Sequence, residues 1–355
     1  MPQSTDARKE APNGGPVLIW GAGAIGGTIG AFLARAYIPV LMVDVVPEHV
    51  DAMNRDGLNI KGPVDTFNTS IEATTPDQLS GRFDRVLLCV KGQDTAAAAE
   101  ALKPHLGENG YVVSVQNGLN ENTIAEIVGR ERTIGAFINF GADYHGPGEI
   151  LFGARSTVVV GELDGEMTPR LKQLQSMLQH FEPSALATDN IWGYLWSKLA
   201  YCSLLWANAV IEGELNDMFG STKYRAMLTE LTREVIRIAE RKGTKLEAFD
   251  PFDPKGFTRD ADQAAADRAF AHIFEHRKGS AKKHSGMWRD IAVRKRKTEL
   301  DTLLLPVLAA GEDAGVAMPL NRLLAEMIRD LEAGRRTQGW ANFDALQTLM
   351  DASAG

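Results

Sequence analysis

Val17-Leu18-Ile19-Trp20-Gly21-Ala22-Gly23-Ala24-Ile25-Gly26-Gly27 decides how the N-terminal half of this chain is read. Four apolar residues lead into a G-x-G-x-x-G turn, and Thr28-Ile29-Gly30-Ala31-Phe32-Leu33-Ala34 continues in helical fashion. The pattern predicts a strand, a tight turn and a helix, the context that separates a dinucleotide site from an ordinary glycine-rich turn. Gly21 permits the sharp turn, Gly23 lets the backbone approach a pyrophosphate, and Gly26 lets the helix lie close against the strand. Ala22, Ala24 and Ile25 complete the turn, and the unpaired N–H groups of the helix N-terminus face the phosphates.

A second apolar run, Val40-Leu41-Met42-Val43, ends in Asp44. An acidic residue at that place accepts hydrogen bonds from the adenosine ribose hydroxyls. The extra phosphate of NADP would sit beside the carboxylate. At ~4 Å and an effective dielectric of ~20, each pair of like unit charges costs about 4 kcal/mol. The next residues, Val45, Val46, Pro47 and Glu48, supply no Lys or Arg to reverse the sign. NAD rather than NADP is the expected cofactor, with a plain turn role for Asp44 as the alternative.

At 355 residues the chain is long enough for two domains, each with its own core. Apolar content of 44% and charged content of 24% suit a globular protein. A net charge of −8 argues against a nucleic-acid partner. The densest positive stretch, Arg294-Lys295-Arg296-Lys297, reads as a solvated loop, with neutralisation of an anionic ligand as the alternative. Cys89 and Cys202 give no disulfide framework, so a cytoplasmic location is expected. No apolar stretch is long enough to span a membrane. Residues 1–15 lack the apolar core of a signal peptide and read as a disordered tail.

From Pro16 to about Ala187, short β-branched runs alternate with helical patterns. Val86 to Val90 and Tyr111 to Val115 are continuous apolar runs, as strands buried on both faces require. Thr133 to Phe140 and Thr157 to Val160 are further strand candidates, with Ala96 to Leu102 and Glu121 to Val128 as intervening helices. The alternation predicts an α/β fold: a Rossmann-type, doubly wound parallel sheet over residues 16–187. The character changes after Asp189. Ile191, Leu195, Leu199 and Cys202 recur at helical spacing, with Asp189 or Asn190 as cap. Met227 to Arg241, Ala264 to His276, Thr298 to Ala314 and Asn321 to Ala333 are also helical in pattern, and Phe249 to Gly256 reads as a loop. An all-helical domain over 188–355 follows, for substrate binding and dimerisation.

Lys198 is the best candidate for chemistry in that half. It lies in Trp192-Gly193-Tyr194-Leu195-Trp196-Ser197-Lys198-Leu199-Ala200, and desolvation by such a surround lowers a lysine's pKa. A value near ~7–8 suits proton exchange with a carbonyl. Composition alone favours the plainer alternative, a lysine on the wet face of its helix. Glu299 and Asp301 stand at the start of an apolar helix, where a capping role shared with Thr298 competes with a functional one. Lys91 and Asn117 each follow a predicted strand directly, where residues line the ligand crevice of an open parallel sheet. Turn roles fit them equally. The seven histidines form no cluster of the kind that holds zinc, so no metal site is expected.

Together these pieces resemble the ketopantoate reductase family from Val17 to Ile328. The matching segments are Gly21 to Gly27, Val90-Lys91, Gln116-Asn117-Gly118, Leu195-Trp196-Ser197-Lys198-Leu199, Ser285 to Ile291, Lys297 to Leu300 and Gly315 to Asn321. The resemblance implies interconversion of an α-keto acid and its 2-hydroxy acid by hydride transfer. It implies Lys198 as general acid/base and Glu299 as the carboxylate anchoring a substrate hydroxyl. Asn117 and Lys91 resemble its active-site residues, and Ser285 lies where the family contacts the substrate carboxylate. Where the family's lysine helix carries two asparagines, this chain has Cys202 and Trp206, which makes both candidate substrate contacts and implies a more apolar group near the carbonyl. The paired-serine segment reads Ser285-Gly286, and the stretch from about Lys245 to Lys283 is longer than usual. A β-hydroxyacid or opine-type dehydrogenase, or a sensor holding NAD without turnover, are the competing readings. A small keto or hydroxy acid and a second copy of the chain are the expected partners.

Overall fold

The computed structural model describes residues 15–278 and 282–353, so the expected tail at residues 1–15 lies, but for Gly15, outside the described residues. Two compact units emerge. One comprises residues up to Gln116 together with Asn120–Asp189, and the other comprises Asn117–Leu119 with the chain from Asn190 onward.

The first unit holds the strands β1 (Val17–Trp20), β2 (Val40–Val43), β3 (Leu58–Lys61), β4 (Phe67–Thr69), β5 (Glu72–Thr74), β6 (Phe83–Leu88), β7 (Leu106–Ser114), β8 (Thr133–Ile138), β9 (Gly141–Gly146), β10 (Glu149–Ala154), β11 (Val158–Glu162) and β12 (Leu186–Ala187). Its helices are α1 (Ala24–Arg35), α2 (Pro47–Asp56), α3 (Thr95–Leu102), α4 (Asn120–Val128) and α5 (Pro169–Leu178). An eight-stranded sheet runs β12-β11-β8-β7-β6-β1-β2-β5. Its pairs are parallel except β8 with β11. Strand order reverses between β1 and β6, the place where open α/β sheets bind ligands.

The apolar runs are buried on both faces, as expected. Val17 and Ile19 of β1 join a core with Ile29, Phe32 and Leu33 of α1 and with Leu171 and Leu174 of α5. Leu18 and Trp20 point the other way, into a core with Ala98 and Leu102 of α3 and Ile124 of α4. Alternation along one strand thus serves two cores.

A four-stranded sheet, β4-β3-β10-β9, was not legible in the sequence. Its strands are short and carry Asn or Gly, which weaken any period-2 signal. Ile60, Ile150 and Phe152 from it share the α1-side core, where Phe32 meets Phe67, Phe152 and Phe181 edge to face. The N-terminal unit is therefore a doubly wound sheet with a second sheet over α1, rather than the single sheet expected.

Among the described residues the second unit is built on helices: α6 (Ile191–Asn208), α7 (Leu215–Gly220), α8 (Arg225–Arg241), α9 (Gln263–Arg277), α10 (Gly286–Ala292), α11 (Leu300–Asp313), α12 (Pro319–Glu332) and α13 (Ala341–Ser353). The Asn190 side chain accepts from Gly193 N–H at 3.2 Å, deciding the cap left open between Asp189 and Asn190. Helix α6 is buried nearly all round, as a central helix must be, and packs against α8. Buried Glu234 of α8 accepts from the N–H groups of Leu320 and Asn321, both at 2.9 Å, and so caps α12 from outside. Within the expected loop, Phe249 and Phe252 form an isolated antiparallel bridge. The final stretch packs within its own unit: Trp340 stacks on Tyr224, and Phe343 and Leu346 are fully buried.

Candidate functional site

In the first unit the glycine turn follows β1 directly. Gly21 has φ +100, and a Cβ there would fall 2.9 Å from the Val90 amide nitrogen. A Cβ on Gly26 would fall 2.9 Å from Cys89 Cβ, so α1 lies too close to the sheet for any side chain. Gly23 differs: a Cβ there meets nothing within 4 Å. That open space over the N-terminus of α1 is where a ligand would approach. Helix α1 has no side-chain cap and no acidic residue in its first turn. Its leading N–H groups, around Ala24, Ile25 and Gly26, therefore remain free to bind an anion. The donor set fits the pyrophosphate of a dinucleotide.

Asp44 sits at the end of β2, half-buried, and is tied to this turn. Its carboxylate accepts from Ala22 N–H at 2.9 Å and from Val46 N–H at 3.0 Å. Each oxygen keeps acceptor capacity for a hydroxyl. Beyond β6, the side-chain ammonium of exposed Lys91 has no hydrogen-bond or ion-pair partner among the described residues, while its carbonyl accepts from Asp94 N–H at 2.9 Å. The loop that carries it is held by Gln116, buried beyond the end of β7, whose side-chain amide donates to Val90 O and Thr95 Oγ, both at 2.8 Å. Thr95 donates in turn to Asn120 at 3.1 Å. Sequence reasoning passed over Gln116 and Thr95 as site supports, although Gln116 stands in a quoted motif.

The second site belongs to the helical unit. Lys198, 9% exposed, donates from Nζ to Asn117 Oδ1 at 2.6 Å. The wet-face alternative for this lysine is excluded. Along α6 the positions that keep some exposure include Tyr194, Cys202 and Leu205, which share Lys198's face at helical spacing. Burial pushes the Cys202 thiol up to about 11, while Lys198 and Lys282 pull it down and Glu299 raises it. Lys198, Lys282 and Glu299 thus all act electrostatically on the one thiol of Cys202. Lys282 carried no recognisable sequence signal.

Glu299 lies half-buried before α11. Thr298 performs the local capping, accepting from Leu300 N–H at 3.1 Å, and Asp301 pairs with Arg329 at 2.8 Å. The Glu299 carboxylate makes no hydrogen bond or ion pair among the described residues and stays available to a donor. Two other candidates serve packing here. Ser285 is buried, accepts from Trp288 N–H at 3.2 Å as the cap of α10, and donates its own N–H to Asn208 at 3.0 Å. Trp206, 2% exposed, is turned into the helical core rather than toward the partly open face. Of the basic run, Arg294 and Arg296 both pair with buried Asp290 at 2.9 Å. The chain does contain one His-x-x-x-His, His272 and His276, and both face Asp250 at 3.1 Å. No group among the described residues is arranged to hold a metal ion. Both cysteines are free. No helix among the described residues is long and apolar enough to cross a membrane.

A doubly wound sheet carrying a glycine turn, followed by a helical unit with a buried lysine, is an arrangement shared with known oxidoreductases. The family described as Ketopantoate reductase PanE/ApbA matches residues 17–165, and its C-terminal counterpart matches residues 190–332. The chain belongs to the ketopantoate reductase family and is a dehydrogenase/reductase acting on a CH–OH group. A 2-dehydropantoate 2-reductase of Pyrococcus abyssi is 26% identical over 321 residues, covering 89% of this chain and 98% of the relative. The crystal structure of a PanE/ApbA family ketopantoate reductase from Ralstonia eutropha is 26% identical with a TM-score of 0.74, covering 90% of this chain and 99% of that one. D-mandelate dehydrogenase, solved with NADH and anilino(oxo)acetate, shares the fold at 19% identity and a TM-score of 0.76, over 90% of this chain and 98% of its own.

Proposed function

We propose that this chain interconverts a 2-oxo acid and its 2-hydroxy acid, with NAD as cofactor and Lys198 as general acid/base. The observation that carries the reading is the buried ammonium of Lys198, held at 2.6 Å from the Asn117 carboxamide. A cation that deep in an apolar helix costs stability unless it has a task or a partner. Asn117 Oδ1, the acceptor at 2.6 Å, belongs to a neutral amide and orients the amine.

When bound, reduced NAD supplies the hydride that adds to the substrate's C2. Lys198 donates the proton that the carbonyl oxygen needs as its electron pair moves onto oxygen, and the product is the 2-hydroxy acid. In reverse, the neutral amine takes the hydroxyl proton. Asn117 keeps the amine in place, and Glu299 accepts a hydrogen bond from a donor elsewhere on the substrate. Gly21 to Gly26 cradle the pyrophosphate, with Asp44 on the adenosine ribose and Lys91 as a nearby cation. Cys202 lines the lysine's face, and Ser285 and Trp206 shape the pocket only through the elements they hold.

The carboxylates of Asp44 and Glu48, without a compensating cation among Val45 to Pro47, support NAD over NADP. The NADH bound to D-mandelate dehydrogenase is in keeping with that choice. Two free cysteines support a cytoplasmic location. A homodimer completes the proposal, with light scattering as its check. The deciding experiment follows NADH and NADPH oxidation against 2-oxo acids including ketopantoate and aryl 2-oxo acids, alongside β-hydroxyacids and amino acid–keto acid pairs. Turnover confined to β-hydroxyacids or amino acid–keto acid pairs would overturn the 2-oxo acid reading. Tight NADH binding with no turnover of any candidate would mark a sensor.

A further inference from the structure

The hairpin of β9 and β10 in the second sheet reaches the nucleotide site through one buried histidine. His49 of α2, 1% exposed, has both ring nitrogens engaged: Nε2 lies 2.9 Å from Ala22 O, and Nδ1 accepts from Gly148 N–H at 2.9 Å. Because Gly148 can only donate, Nδ1 is the acceptor and Nε2 carries the proton that goes to Ala22. Ala22 is the residue whose N–H is bonded to Asp44. One residue of the glycine turn, Ala22, is therefore held on its N–H side by Asp44 and on its C=O side by His49, which the hairpin residue Gly148 holds in turn.

Tyr144 of β9 sits on this clamp, its ring edge-to-face with His49 at 5.1 Å between centroids. It is 43% exposed, a large share for an aromatic side chain fixed so close to a core contact. Its hydroxyl makes no hydrogen bond among the described residues. Burial first, then the negative charges of Asp44 and Glu48, hold its phenol above the ordinary tyrosine range. The hydroxyl thus lies within the field of Asp44, at the end of β2, and of Glu48, in the first turn of α2. Val45, between those two acids in sequence, is 75% exposed, an apolar side chain left in solvent beside Asp44.

We propose that Tyr144 is a nucleotide-binding residue, delivered by the second sheet, that contacts the adenosine half of the dinucleotide beside Asp44. This rests on the dinucleotide reading of the glycine turn and adds to it a wall from a distant part of the sequence. The aromatic face packs on the adenosine, and the hydroxyl donates to or accepts from the ribose hydroxyls. The arrangement also deepens the bias against a 2′-phosphate, since Tyr144 narrows a space already bounded by two carboxylates.

The test is calorimetric titration of the full chain with NADH, NADPH, ADP-ribose and nicotinamide mononucleotide, using wild type, Tyr144→Phe and Tyr144→Ala. Tyr144→Phe should weaken NADH and ADP-ribose alike by about 3- to 10-fold, the worth of one hydrogen bond. Tyr144→Ala should weaken both by about tenfold or more and leave nicotinamide mononucleotide unchanged. NADPH should lose less than NADH in both variants. Unchanged affinity for ADP-ribose in both variants, or equal losses for all four ligands, would overturn the assignment of Tyr144. Should Tyr144→Ala not fold, Tyr144→Phe alone decides through the ADP-ribose titration. A wild-type chain that binds neither NADH nor NADPH would instead sink the cofactor reading beneath it.

Discussion

The glycine turn of the first unit and the lysine neighbourhood of the second are built from different materials. Around Gly21 to Gly26 the work is done by backbone: a positive φ, a close approach and a row of helix N–H groups, all within a short stretch of chain. Around Lys198 the candidate site is assembled from side chains: Cys202 one helical turn on, and Asn117, Lys282 and Glu299 from distant parts of the sequence. A backbone site tolerates substitution only where a Cβ fits. A side-chain site fails atom by atom. The contrast teaches that loss of binding and loss of chemistry should be separable in this protein.

The largest expected effect attacks the side-chain site. Lys198→Ala should lower kcat by about 100- to 10,000-fold, the usual worth of a general acid, with NADH affinity by calorimetry unchanged. Turnover within a few-fold of wild type would remove the lysine from the mechanism. Gly23→Ala attacks the backbone site where the structure leaves room. Its melting temperature should match wild type, because the new methyl meets nothing, while NADH affinity falls by about tenfold or more, since the methyl occupies the pyrophosphate's approach. Gly26→Ala sharpens that comparison. There the methyl collides with the sheet, so stability itself should fall by about 1–3 kcal/mol in urea denaturation.

Asp44→Asn should narrow the preference for NADH over NADPH by about tenfold, roughly 1.4 kcal/mol, and the change should shrink at high salt. Asparagine is chosen because the native carboxylate also bonds Ala22 and Val46, and an amide oxygen can keep one of those bonds. The smallest effect belongs to Ser285→Ala, which should cost about 1 kcal/mol of stability through lost capping of α10. A loss of substrate affinity out of proportion to that, seen as a KM rise at unchanged kcat, would give Ser285 a direct substrate contact after all.

Much of the first unit was legible because its signals are local. A run such as Val17 to Trp20, apolar at every position, announces a strand buried on both faces, and each face does meet its own core. The second sheet was not legible, since Leu58 to Lys61 and Phe67 to Thr69 are too short and too mixed to carry a period. Within the candidate site, Lys198 and Glu299 could be named from the sequence, but the plain alternatives could be set aside only by seeing Lys198 buried and Thr298 taking the cap. His49 and Tyr144 had no sequence signature, because a hydrogen bond across 99 residues, such as Gly148 to His49, leaves none.

What the amino-acid order settled alone is whatever depends on neighbours along the chain: the turn geometry of glycine, the acid at the end of a strand, the helical spacing behind Lys198. Tertiary structure decided which of those groups are desolvated, which carboxylates already have partners, and which residues meet from distant segments. The physical reason is range. Backbone dihedrals and periodicity are fixed within a few residues, whereas burial and electrostatic company depend on packing among segments that only the folded chain brings together.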